Sequence, residues 1–322
     1  ANILVGFGGN DTLEGGLGND TLYGGAGQER LTDFEGANQL HGEDGNDTLE
    51  GRGLLLGGRG DDVYYILGDA ATTVWEAVGE GWDIVVANSG TPWLAADVEE
   101  LVLQGFAGAG HGNAGHNKLW GNKAGTPVDG WGVMLAGWDG WDTLVGSAGR
   151  DTLVGGTGGD VMVGGAGSDL YWFDSGADRA WEDAGGGFDV VVARGSDFIW
   201  MPANTEQLWL DAGSAGAMGT AGDDLIWGGV GDNWIEGGAG HDTLVGNGGS
   251  DVLRGGAGRD HFVVQGQASA TILDFTPGED VIWLQGTSLR GFGAVQDGLR
   301  SAGSLDGVAA ILIGVGWWGD SW

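Results

Sequence analysis

Carboxylates recur in this chain at a fixed interval. Between Gly219 and Val263 the residues Asp224, Asn233, Asp242, Asp251 and Asp260 stand nine apart. Each follows a glycine by two positions (Gly222, Gly231, Gly240, Gly249, Gly258) and precedes a large apolar residue by two (Ile226, Ile235, Leu244, Leu253, Phe262). The frame reads GTAGDDLIW, GGVGDNWIE, GGAGHDTLV, GNGGSDVLR, GGAGRDHFV. Acidic oxygens set among glycine-rich backbone, which offers many carbonyls, make a donor set for a hard cation. Ca²⁺ takes roughly six to eight oxygens and tolerates irregular geometry.

The elements that position these carboxylates follow from the same nine residues. The glycine half is a turn, because glycine accepts positive φ and close backbone approach. The x-U-x half, with U apolar, is a three-residue strand whose middle side chain points opposite to its neighbours. Two nonapeptides then close one flattened coil of eighteen residues. Residues eighteen apart stack about 4.8 Å from one another. Asp224, Asp242 and Asp260 therefore fall in one column, and Asn233 and Asp251 in the opposite one. Carboxylates so stacked repel by on the order of 1 kcal/mol per pair in water and by more near a protein surface. A cation between them reverses the sign.

The same frame appears twice more. Residues 6–65 hold GFGGNDTLE, GGLGNDTLY, GGAGQERLT, DFEGANQLH, GEDGNDTLE and, after a shortened GRGLLL, GGRGDDVYY. The acidic position is Asp11, Asp20, Glu29, Asn38, Asp47 and Asp62, and the coil is expected to stumble at Gly51–Leu56. Residues 137–172 hold GWDGWDTLV, GSAGRDTLV, GGTGGDVMV and GGAGSDLYW, with Asp142, Asp151, Asp160 and Asp169. GNAGHNKLW (112–120) is an isolated copy with Asn117. Between the blocks, WEAVGEGWDIVVA (75–87) and VEELVL (98–103) are answered by WEDAGGGFDVVVA (181–193) and TEQLWL (205–210), at offsets of 106 and 107. The chain is a duplication of block plus spacer, which favours a repetitive solenoid over unrelated domains.

The nonapeptide G-G-x-G-x-D-x-U-x resembles the RTX (repeats-in-toxin) repeat of secreted bacterial proteins. ILDFTPGEDVIWL (272–284) is similar to the segment that closes RTX regions. The resemblance implies an all-β fold, a parallel β-roll or β-helix solenoid with irregular β spacers and a C-terminal cap. It divides the chain into block 1 (1–65), spacer 1 (66–136), block 2 (137–172), spacer 2 (173–218), block 3 (219–263) and a cap with a possible secretion signal (264–322). It implies several Ca²⁺ ions, one between consecutive loops of a column. Carried over position by position, the ligands are Asp11, Asp20, Glu29, Asp47, Asp62, Asp142, Asp151, Asp160, Asp169, Asp224, Asn233, Asp242, Asp251 and Asp260. The turn glycines beside them are Gly9, Gly18, Gly27, Gly140, Gly149, Gly158, Gly167, Gly222, Gly231, Gly240, Gly249 and Gly258.

Composition narrows the function classes. The chain has 322 residues, 46 acidic and 12 basic, for a net charge of −34, with 73 glycines and no cysteine. Such acidity argues against nucleic acid and anionic membrane surfaces. No apolar run is long enough to span a membrane. No disulfide framework exists. The chain opens at Ala1 almost within a repeat and without signal-peptide form, which predicts a fragment or processed product. Neither H-E-x-x-H nor G-x-S-x-G occurs, so no catalytic group is assigned. His111 and His116 read as solvated turn residues and not as a metal pair.

Seventeen tryptophans are more than a glycine/aspartate roll needs. Trp120, Trp172 and Trp227 flank the inward apolar position on one side and Trp234 on the other, so strand alternation points them outward. Spacer tryptophans such as Trp75, Trp82, Trp181, Trp200 and Trp209 are expected to divide between local cores and this outer surface. An outward aromatic surface would serve self-association into fibres or layers, or contact with glycan. Each coil buries only two large side chains, a small gain against the entropy of ordering its residues. The calcium-free chain is therefore expected to be largely disordered. Extracellular calcium modules bind at about 10⁻⁴–10⁻³ M, so the chain would stay unfolded in the cytosol and fold outside.

The reading is a secreted calcium-binding protein of a Gram-negative-type bacterium, exported by a type I apparatus, with a structural or adhesive role. The alternative is the calcium-dependent folding and secretion module of a larger hydrolase or toxin.

Overall fold

The computed structural model describes residues 1–67, 72–121, 131–195, 197–265, 269–285, 299–305 and 308–313. The tryptophans 317, 318 and 322 and most of the expected secretion segment lie outside these residues. The chain forms two compact units, residues 1–169 with 177–180, and residues 170–176 with 181–322. Every regular element described is a β-strand. Each unit is a parallel β-solenoid.

In the first unit successive coils pair in register. Thr21–Gly27 lies on Ile3–Gly8 with Leu22 opposite Leu4, and Thr143–Val145 lies on Lys118–Trp120 with Leu144 opposite Leu119. In the second unit one parallel face runs through Leu170–Phe173, Val190–Ala193, Gln207–Leu210, Leu225–Trp227, Thr243–Val245, His261–Gln265 and Val281–Gln285. Its other face runs through Phe198–Trp200, Gly216–Met218, Trp234–Ala239, Ser250–Ala257 and Ser269–Ile272. That second face ends in a hairpin, Val308–Ile313 pairing antiparallel both to Ser269–Ile272 and to Leu299–Leu305. A reversed hairpin stops the parallel stack, which would otherwise leave an open strand edge.

The apolar position of the nonapeptide makes the core. Leu22, Leu31, Leu40, Leu49, Leu144, Leu153, Met162, Ile226, Ile235, Leu244, Leu253 and Phe262 are fully buried. The spacers keep this ladder. Val85, Leu101 and Leu119 in the first unit, and Val191 and Leu208 in the second, are equally inaccessible and stand in register with block residues. What varies in the spacers is coil length, not direction. The stumble expected at Gly51–Leu56 is a local shortening: Leu54 still pairs with Gln39 and Leu55 with Leu40, while the register slips between Asp33 and Asn38.

Two expectations about side chains are corrected. The spacer tryptophans do not divide: Trp75, Trp82, Trp181, Trp200 and Trp209 are all exposed, because each occupies an outward position of its strand or turn. His111 is not a solvated turn residue. It ends the strand Ala109–His111 and stacks under Trp93 at 4.0 Å between ring centroids. His116 instead accepts a hydrogen bond at Nδ1 from the Trp141 amide.

Candidate metal centre

The repeat turns the position-six carboxylate inward, along the stack, so that each one meets the next coil. Asp224 N–H donates to Asp242 Oδ1 at 2.9 Å, and Asp242 N–H donates to Asp260 Oδ1 at 3.0 Å. In the opposite column Asn233 N–H donates to Asp251 Oδ1 at 3.0 Å. The first unit repeats the arrangement, from Glu29 N–H to Asp47 Oδ1 at 2.7 Å and from Asp142 N–H to Asp160 Oδ1 at 2.8 Å. One oxygen of each accepting aspartate, Asp47, Asp160, Asp242, Asp251 and Asp260, is thus consumed by an amide of the preceding coil.

The second oxygen is left for something else. Oδ2 of Asp20, Asp47, Asp62, Asp142, Asp242 and Asp251 is buried and receives no hydrogen bond, and the same holds for both carboxylate oxygens of Glu29. All but Asp20 face the first glycine of their own nonapeptide; at Gly15, Asp33 Oδ2 takes that place instead. A Cβ at Gly237 would stand 2.2 Å from Asp242 Oδ2, and one at Gly42 would stand 2.2 Å from Asp47 Oδ2. Glycine there keeps open a cradle that any side chain would fill. The turn carbonyls crowd the same line: at Gly258, where φ is +143°, a Cβ would meet the Gly240 carbonyl oxygen at 1.7 Å. Buried carboxylate oxygens beside stacked carbonyls fit an oxygen-seeking cation.

Electrostatics mark the same positions. Burial pushes Asp242 up to about 7, and the charges of Asp224 and Asp260 add to the effect. Burial likewise raises Asp251 to about 7, and Asp142 and Asp224 to about 6. Glu29 is raised to about 7 by burial first and then by Asp47. Without a counter-charge these groups hold protons into the neutral range. A bound cation would remove the cause.

Some expected positions are satisfied by protein alone. Asn233 accepts from the Gly229 amide and donates to the Ser214 carbonyl, and Asn117 donates to the Val98 carbonyl and to Asn113 Oδ1. Asp151 Oδ2 accepts from the Ser147 amide, and Asp224 Oδ2 from the Thr220 amide. There a hydroxyl residue at the second position of the repeat supplies donors that a cation would otherwise replace. Asp11, at the start of the stack, is half-buried, and its Oδ2 receives no hydrogen bond.

The acid column also runs on where the nonapeptide fails. In the first unit Asp62 N–H donates to Asp83 Oδ1 at 2.9 Å, Asp83 N–H to Glu99 Oε2 at 2.8 Å, and Asp160 N–H to Asp178 Oδ1 at 3.0 Å. In the second unit Asp189 N–H donates to Glu206 Oε2 at 2.7 Å and Asp260 N–H to Asp280 Oδ1 at 2.9 Å. None of these spacer acids sits in a complete GGxGxD turn, although Gly81 precedes Asp83 by two residues and Gly278 precedes Asp280 by two. Each still stands two residues before an inward side chain, as Asp83 does before Val85 and Glu206 before Leu208. That acid-x-apolar spacing is the signal that identifies them.

With this geometry in view, the comparison with known families is specific. A family model described as the RTX calcium-binding nonapeptide repeat (4 copies) matches residues 2–32, 33–53, 137–171, 145–180, 217–244 and 236–264. A search of curated proteins finds no match to the chain.

Proposed function

Because this is a chain of RTX calcium-binding nonapeptide repeats, we propose that calcium folds it outside the cell and that the folded solenoid then acts as a structural or adhesive element. The observation that carries the reading is the row of buried, unpartnered carboxylate oxygens at the glycine turns. A chain that must sequester so many like charges is poorly stable until ions arrive. RTX repeats typify secreted bacterial proteins, and no helix among the described residues is long and apolar enough to cross a membrane. We read the ligands as the repeat positions named from the sequence, Asp11 to Asp260, and export as type I: an unfolded chain threads a channel and folds where calcium is millimolar.

The structural role rests on a second observation. On one parallel face of the second unit the outward column reads Trp172, Val192, Trp209, Trp227, Val245, Val263 and Trp283. Trp209 and Trp283 are 50% and 61% exposed, while Val245 and Val263, side by side between Trp227 and Trp283, are buried. The outward partners beside them, from Leu170 to Val281, include no carboxylate. In a chain of net charge −34, this is a face where a second copy approaches without like-charge repulsion, which supports self-association into fibres or layers. A neutral glycan is the other partner such aromatic rings suit.

The test is far-UV circular dichroism with light scattering during a calcium titration of the purified chain. Strand signal appearing cooperatively near millimolar calcium, followed by scattering, is the expected result. A full strand spectrum in chelator would defeat the proposal of calcium-driven folding.

A further inference from the structure

One buried acid has no place in the nonapeptide scheme. Glu76 lies in the first spacer, outside any glycine turn, yet it is only 4% exposed. Its carboxylate lies with those of Asp62 and Asp83, one oxygen from each within 4.8 Å of the others. Asp62 and Asp83 are 0% and 1% exposed. All three belong to the first unit.

The hydrogen bonds of the cluster are incomplete in one direction. Asp62 Oδ1 accepts from the Asp47 amide and Asp83 Oδ1 from the Asp62 amide. Asp62 Oδ2 and both oxygens of Glu76 receive nothing. The Gly57 amide sits near Glu76 without reaching hydrogen-bond geometry. No lysine, arginine or histidine among the described residues pairs with any of the three. Three carboxylates thus converge in a buried space with oxygens pointing inward and no positive charge to meet them. Burial raises Glu76 to about 8, with the charges of Asp83 and Asp62 adding to it.

We propose that Glu76 joins Asp62 and Asp83 in a calcium site at the junction of the first block and its spacer, adding a third carboxylate that the nonapeptide turns do not supply. The proposal rests on the reading of the chain as calcium-folded. An all-oxygen, triply acidic donor set selects a hard divalent ion over zinc or copper. The site has a structural task. The coil from Asp62 to Asp83 is 21 residues long, against 18 in the regular stack. Its glycine turn, Gly79 and Gly81, shapes only the end next to Asp83, and closing a longer loop costs more entropy. Glu76, nearer the Asp83 end of that coil, ties it back to both of its ends through the ion. The second spacer carries the same residue types at an offset of 106, Glu182 and Asp189.

Native mass spectrometry of the full chain in calcium, wild type against Glu76→Gln, counts the ions directly. The expected variant keeps the wild-type strand spectrum and holds one calcium fewer. An unchanged ion count overturns the site while leaving the glycine-turn reading intact. A wild type that takes up no calcium overturns the site together with the reading beneath it. If Glu76→Gln does not fold, calcium-grown crystals of the wild type decide the matter. An anomalous calcium peak between the three carboxylates supports the site; peaks in the glycine turns with none there overturn it.

Discussion

At the scale of single residues, the two oxygens of one aspartate do different work. Oδ1 of Asp242 is held by the Asp224 amide, while Oδ2 faces the Gly237 cradle without a partner. Asp242→Asn keeps the first contact and removes the charge from the second. Losing one charged ligand interaction is worth about 1.5–3 kcal/mol, so the calcium midpoint should rise by about tenfold or more in a circular dichroism titration, with little change at saturating calcium. The raised carboxyls also fix a pH dependence. In the absence of calcium, groups such as Asp242 and Asp251, raised to about 7, favour folding below their unfolded range, and that contribution is lost as pH rises through 7. With calcium the sign reverses, because the ion needs them ionised. Strand content in chelator should therefore fall from pH 4 to pH 8, and calcium affinity should rise over the same interval with proton release on binding. The repeat aspartates were legible from spacing alone, since a turn and a three-residue strand leave them no other direction. Glu99 and Glu206 were not, because the glycines that announce a turn are missing around them and only the acid-x-apolar interval remains.

At the scale of the coil, glycine and the inward apolar residue carry separate loads. The Gly258 position has φ of +143° and the Gly240 carbonyl against it. Gly258→Ala must both strain the backbone and push two turns apart. It should lower the calcium-loaded melting temperature clearly, whereas alanine at Gly222, whose Cβ would meet only Thr220 Oγ1 at an ordinary 3.6 Å and which has no positive φ, should change it little. Differential scanning calorimetry separates the two. Leu153, fully buried in the second block, tests the other load. Leu153→Ala should cost about 2–5 kcal/mol in calcium, more than most surface changes, because the flattened coil has few other apolar groups to collapse into the gap. The block coils could be drawn from the sequence almost residue by residue. The spacer strands could be placed, as Ile84–Ala87 and Val190–Ala193 show, but their membership in the same ladder could not. Coils of 21 or 17 residues break the arithmetic of eighteen while keeping the same hydrogen-bonded direction.

At the scale of the molecule, the proposed assembly sets charge against aromatic surface, with calcium to decide between them. A net charge of −34 keeps copies apart through self-repulsion, and each calcium ion bound between coils would cancel two of those charges. The outward tryptophans are then the largest apolar groups that repulsion no longer guards. The two halves of the duplication keep the pattern: Tyr65, Val86, Val102, Trp120, Val145 and Val163 form the outward column of the first unit, as Trp172 to Trp283 do in the second. Association should therefore require calcium and both members of the exposed pair Trp209 and Trp283. In millimolar calcium the double variant Trp209→Ser with Trp283→Ser should fold at the wild-type calcium midpoint yet scatter light as a monomer, because outward residues contribute little to the coil core. Added salt in the presence of calcium should strengthen wild-type scattering, since it screens the residual negative charge while leaving apolar contact in place. If the double variant scatters like the wild type, the aromatic columns are not the contact. If salt disperses the assemblies, ion-mediated bridging between carboxylates of different copies holds them together instead.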